Sequence, residues 1–175
     1  MYKLFSSFIF FFFIMSLSAQ TENEIKKYVK EIDALRSANK LTRLDFSEMS
    51  GCGGGVDGFY LNDNLVLIDA TDSGELGFAS RVVYFKDGKV VSILYREHFP
   101  EWEKYETKYG KSKFDESKMT YTDTLHTIIL TSHPGYTKSA GSKIISKNVD
   151  QKRIDDQLSC AEQMRKELDW ERKQK

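Results

Sequence analysis

Proline occurs twice in this 175-residue chain, cysteine twice and histidine three times. Net charge is absent, since 26 Lys and Arg balance 26 Asp and Glu. These scarcities set limits. Without a clustered basic face there is no electrostatic footprint for nucleic acid. With no His/Cys cluster at ligand spacing there is no metal motif. No nucleophile elbow of the Gly-x-Ser-x-Gly kind is present. The residues point to no cofactor.

Long apolar runs are also missing, with one exception at the N-terminus. Lys3 precedes the run Leu4–Leu17, which holds Phe5, Phe8, Phe10, Phe11, Phe12 and Phe13, and Ser16-Leu17-Ser18-Ala19 leads to polar Gln20. Positive, apolar and small segments in that order are the pattern of a secretory signal. A membrane span needs about 20 apolar residues, more than Leu4–Ala19 supplies. Residues 1–19 are therefore read as a signal peptide and 20–175 as a single α+β domain outside the cytoplasm, secreted or periplasmic. That mature part has no membrane span.

Export places Cys52 and Cys160 where disulfides form and persist, and two cysteines allow one bridge. A Cys52–Cys160 disulfide would tie the glycine-rich Gly51–Gly55 stretch to the last helix.

The mature chain opens with Thr21-x-x-Glu24, a capping box. Ile25, Tyr28, Val29, Ile32 and Leu35 then recur at helical spacing among lysines and glutamates, so a helix is expected over about 22–38. From Leu41 the period falls to two. Short runs rich in Val, Ile, Tyr and Phe are separated by Asn62-Asp63-Asn64, Asp72-Ser73-Gly74 and Asp87-Gly88, the last being the strongest hairpin signal. Pro100 suits the start of a short helix to about Tyr109. Met119–Ser132 alternates as a last strand, and a helix with a narrow apolar stripe (Ile154, Leu158, Ala161, Met164, Leu168) is expected over about 149–172. The sum is an antiparallel β-meander of about five strands, with N- and C-terminal helices packed on one face. No internal repeat is visible.

Gly53-Gly54-Gly55-Val56-Asp57-Gly58 fits the spacing of a dinucleotide fingerprint, but a strand pattern follows where a helix is required. Asp69–Glu75 resembles a calcium loop only over its inner positions, and Ser80 stands where the bidentate carboxylate is needed. Both read as backbone turns.

The segment Tyr95–Tyr105 is less ordinary, with Tyr95, His98, Phe99, Trp102 and Tyr105 set among charges where strand gives way to helix. Phe99, Trp102 and Tyr105 at spacings of three share a helix face, as a plug for the sheet end requires. Aromatics and Arg also carry interface energy, which makes these five residues the candidate binding surface. The functional expectation is a binding or interaction domain whose partner is another exported protein. The alternatives are a small hydrolase with a site around His98 and His126, and an inhibitor or immunity-type protein.

Processing offers the first test. N-terminal sequencing or intact mass of the exported protein should give Gln20 or Thr21 as the first residue; a membrane-held chain still starting at Met1 rejects the signal peptide.

Overall fold

The structure, a computed structural model, describes residues 20–46, 54–110, 114–131, 137–139 and 150–174. The leader, Cys52 and His133 lie outside them. Helix α1 (Glu22–Ser37) begins as expected: the Thr21 side chain accepts from the Glu24 N–H, and the Glu24 carboxylate accepts from the Thr21 N–H at 2.7 Å. It ends at Asn39, whose φ of 53° allows Lys40 N–H to reach Leu35 O and Asn39 N–H to reach Arg36 O. This doubly bonded stop satisfies two of the last carbonyls.

Next come β1 (Thr42–Phe46), β2 (Gly54–Leu61), β3 (Asn64–Ser73), β4 (Phe78–Lys86) and β5 (Lys89–Pro100). Helix α2 (Trp102–Tyr109), a 3-10 turn (Glu116–Lys118), β6 (Tyr121–Ile129), β7 (Thr137–Ser139) and helix α3 (Gln151–Gln174) follow among the described residues. All strands pair antiparallel in sequence order, a pure meander. This matches the expected meander of about five strands: among the described residues six strands have five or more residues, and three-residue β7 pairs with β6.

Two hairpins inside the meander share one construction, which the sequence reading missed. Asn62-Asp63 and Asp87-Gly88 are two-residue turns with positive φ at both positions (48° and 66°, 52° and 71°). Such turns match the right-handed twist of the flanking strands. Each is followed by a β-bulge, where the register skips Val66 in one hairpin and Val91 in the other. The side chains differ enough to hide the likeness.

The expectation that both helices share a face is overturned. Cross-strand partners point to the same side of a sheet, so Gly58, Ile68, Val83, Ile93 and Ile128 form one row and Phe59, Leu67, Tyr84, Ser92 and Ile129 the opposite one. Helix α3 packs Ile154, Ala161, Met164 and Leu168 on the first row's face. Helix α1 packs Ile25 and Ile32 on the second. The cause lies in the central strands: Val66-Leu67-Ile68 and Val91-Ser92-Ile93 are buried without a break. Strands buried on both faces need a helix on each.

Helix α3 crosses its face diagonally. Near its start, Gln157 Oε1 accepts from Arg81 Nε at 2.8 Å. Towards its end, Leu168 rests on Gly58, where a Cβ would come within 2.9 Å of Leu168 Cδ1, so this close approach uses the missing side chain. Arg165 then donates to Gly88 O at 3.1 Å and Arg172 to Asp63 O at 2.8 Å. Seven helical residues rise about 10.5 Å, and strands two apart in a sheet lie about 9.6 Å apart. One helix edge therefore grips both hairpin turns at equivalent positions.

Leu168 is fully buried at this junction. Leu168→Ala should lower unfolding free energy by about 2–5 kcal/mol, read from the midpoint of urea unfolding; a loss under about 1 kcal/mol would mean that α3 is not docked through this residue.

Candidate binding surface

Strand alternation splits the singled-out segment. Beyond the core, β5 sends Tyr95 and Glu97 to the face covered by α3, and Arg96 and His98 to the face of α1. Helix α1 packs on Phe59, Val66, Leu67, Tyr84, Val91 and Ile129. Farther along the same face, outside this packing, stand Phe78, Arg96, His98, Tyr121 and Asp123.

Here His98 sits between two rings. Its centroid lies 5.4 Å from that of Phe78 at an interplanar angle of 19°, and 4.7 Å from that of Tyr121 at 7°. Its Nδ1 pairs with Asp123 Oδ1 at 3.1 Å. Arg96 donates to the same oxygen at 3.3 Å while its guanidinium lies 5.3 Å above Phe78. The His98 hydrogen bond, with Arg96 adding to it, holds the Asp123 carboxyl below the usual carboxylate range. The imidazole is thus fixed in orientation by stacking and in tautomer by Asp123.

Around the end of β5, α2 builds an aromatic cap. Glu101 fastens it: its carboxylate accepts from Thr120 Oγ1 at 2.8 Å and Thr122 Oγ1 at 2.9 Å and pairs with Lys104. Lys104 and then the two threonines pull its pKa down to about 2. On this anchored helix Tyr105 turns inward, 5% exposed, and its hydroxyl accepts from the Asp115 N–H at 2.6 Å. Trp102 packs edge-on to Tyr105 (6.4 Å) and against Phe114 (5.4 Å), yet stays 44% exposed. Phe99, Tyr109 and Phe114 are exposed as well. Lys108 and Lys118 lie 5.0 and 5.7 Å from the Tyr109 ring centre.

No family model, curated protein or solved structure matches the chain. Geometry must carry the functional reading.

That geometry sorts the five residues chosen from the sequence. Tyr95 is buried under α3, its hydroxyl donating to Glu97 Oε1 at 2.6 Å, and burial followed by this bond pushes its pKa up to about 12. Tyr95 and Tyr105 are core residues and cannot present a surface. Of the expected plug, Tyr105 alone fills the role, because Trp102, one turn earlier at the opening of the helix, stays exposed. Phe99 and Trp102 are exposed, and His98 is partly exposed on the open face. His98 and His126 point to opposite faces, since Tyr95 and His126 are cross-strand partners while His98 pairs with Asp123. The two histidines therefore do not converge on one face of the sheet.

The sequence reading passed over Phe78, Tyr121, Arg96 and Asp123 in the stack, and Tyr109 and Phe114 in the cap. It also passed over a row of aspartates. Asp45, Asp57 and Asp69 are cross-strand partners on the α1 face, lining a depression of about 240 Å³ with Arg43, Gly55 and Thr71. Like charges directly opposite are destabilising. Arg43, at 2.9 Å from Asp57, and Arg36, paired with Asp69, offset the repulsion. Alternating Asp within apolar strand runs was the available signal.

Stability separates the two aromatic roles. Tyr105→Ala should cost about 3–5 kcal/mol, the scale for a large buried ring. Trp102→Ala, half of whose ring is already in water, should cost under about 2 kcal/mol on the same scale. Equal losses in thermal melts of the two variants would show that Trp102 is a core residue.

Proposed function

We propose that this chain is an exported, disulfide-linked binding domain that recognises another exported protein through the aromatic cap at the end of the sheet. The observation carrying the reading is that Trp102, Tyr109 and Phe114, joined in one ring cluster through Tyr105, all stay exposed, with Phe99 exposed at the end of the preceding strand. Contiguous apolar patches on a protein surface mark interaction sites. Aromatic anchors held rigid beforehand lose little conformational freedom on binding, and the Glu101 clamp supplies that rigidity. Lys104, Lys108 and Lys118 form a charged rim, which fits the ordinary anatomy of an interface. An inhibitor or immunity-type protein is the special case in which the partner is a secreted enzyme.

The proposed disulfide joins Cys52, which lies outside the described residues two positions before β2, to Cys160. The latter is half-buried on α3 beside the core and has no disulfide partner among the described residues. Closing a loop of about 108 residues would restrict the unfolded chain by about 4–5 kcal/mol in the chain-entropy view. Peptide mapping without reductant should recover Cys52 and Cys160 in one linked pair; two free thiols would remove the bridge from the reading.

For the binding role, the test pairs wild type with a Phe99→Ala/Trp102→Ala double variant whose melting is checked first. The partner captured by crosslinking in the envelope or secreted fraction should bind the folded variant at least about 30-fold more weakly, the scale of a hot spot worth 2 kcal/mol. Unchanged affinity in a folded double variant would overturn the assignment of the cap as the recognition surface.

A further inference from the structure

On the face opposite the His98 stack, under the first turns of α3, His126 is 7% exposed. Its Nε2 lies 2.9 Å from Arg153 Nη1. A guanidinium has donors only and keeps its charge at any pH a protein survives. The facing ring nitrogen must therefore offer a lone pair, so this contact requires a neutral imidazole. The remaining proton then sits on Nδ1, which is buried without a hydrogen-bond partner among the described residues. A second proton on the ring would set N–H against N–H and cation against cation, with the Nε2 bond lost.

We propose that His126 and Arg153 form a pH-sensitive latch, which holds the first turns of α3 on the sheet and releases them when the imidazole takes up a second proton. Arg153 is the element that would move. It is partly exposed and also reaches Glu97 Oε2 at 3.2 Å, so an alternative hydrated position lies within reach of its long side chain. His126 is held by its strand and by stacking on Tyr95, with centroids 6.2 Å apart. The far end of α3 keeps its own anchors at Leu168, Arg165 and Arg172. Release would thus be confined to the start of the helix.

Several groups face the imidazole. From α3 and its approach come Arg153 and Asp150, from β5 Glu97 and Tyr95, and from β4 Arg81, whose guanidinium lies 4.9 Å from the Tyr95 ring centre. Register puts Ser139 of β7 across from His126. Burial first and Arg153 second lower the affinity of the ring for its proton, while Glu97 and Asp150 oppose them. The folded state therefore binds this proton less readily than the unfolded chain. The stabilisation is complete above the ordinary histidine value of about 6.5 and is lost progressively as pH falls below it. A protein outside the cytoplasm meets such pH changes directly.

Hydrogen exchange on the full chain tests the latch, with rates corrected for intrinsic pH dependence and compared at about pH 7.5 and 5.5, either side of the histidine range. The expected result is loss of protection over Ile154–Cys160 at the lower pH, while Met164–Arg172 stays protected. His126→Gln keeps an acceptor for Arg153 but cannot titrate, so its exchange over Ile154–Cys160 should not change with pH. Unchanged protection in wild type, loss along the whole of α3, or equal loss in the variant would each overturn the proposal. Should the variant not fold, the wild-type protein decides by nuclear magnetic resonance: the His126 ring and the amides of Ile154–Cys160 should titrate with one midpoint, and separate midpoints reject the latch.

Discussion

The central strands β3, β4 and β5 bury side chains on both faces, and this two-sided burial governs the arrangement of everything else. A sheet with one wet face would need one helical layer. Here Ile68, Val83 and Ile93 point one way while Leu67 and Tyr84 point the other, all at 5% exposure or less. Leaving either set in water would forfeit roughly 1.5–3 kcal/mol for each large apolar side chain. Neither α1 nor α3 can therefore be spared, and each must lie on its own side.

How the helices are fixed differs between the two faces. Helix α1 is held by two buried isoleucines and by polar contacts at its flanks, where the Tyr28 hydroxyl donates to Phe85 O and the Tyr84 hydroxyl donates to Asp33 Oδ1. Helix α3 is longer and is placed at three levels: the polar group around Arg153 and Gln157, the close approach at Gly58, and the two hairpin turns. The agreement between two helical turns and two strand spacings lets Arg165 and Arg172 meet equivalent carbonyls. That match is possible because the hairpins repeat the same turn and bulge.

Unequal helix cover also explains where a binding surface can arise. Helix α1 has 16 residues, about 24 Å at helical rise, and packs towards the hairpin end of its face. Past its reach the strands carry stacked rings and ion pairs in place of aliphatic side chains. Aromatic and charged groups suit a surface that is partly wet, since ring edges, carboxylates and guanidinium groups keep their hydration or pair with each other. The exposed cap of α2 stands at that end of the sheet, fastened to β6 through Glu101. On the other face the start of α3 reaches His126 and Glu97 through Arg153, while Phe99 beyond them stays exposed.

Local chemistry made much of this legible in the sequence. Thr21 and Glu24 mark the start of α1 and Asn39 its stop, because capping depends on neighbouring residues alone. Asp87-Gly88 marks a hairpin because positive φ at both positions is a local demand. The α+β meander follows from such local signals taken in order. The facing partners do not. Counting outward from Asp87-Gly88 without the bulge puts Phe78 opposite Glu97; the extra residue Val91 brings His98 opposite Phe78 and turns His98 onto the face of α1. A one-residue shift inverts every side chain beyond it, and nothing in Val90-Val91-Ser92 announces the bulge. The same shift assembled the stack of His98 on Phe78, while the β5–β6 register, with Tyr95 opposite His126, puts His126 on the other face. Which helix covers which face, and which of two similar aromatics turns inward, were likewise settled by contacts between residues far apart in the chain, since burial is a property of the packed whole.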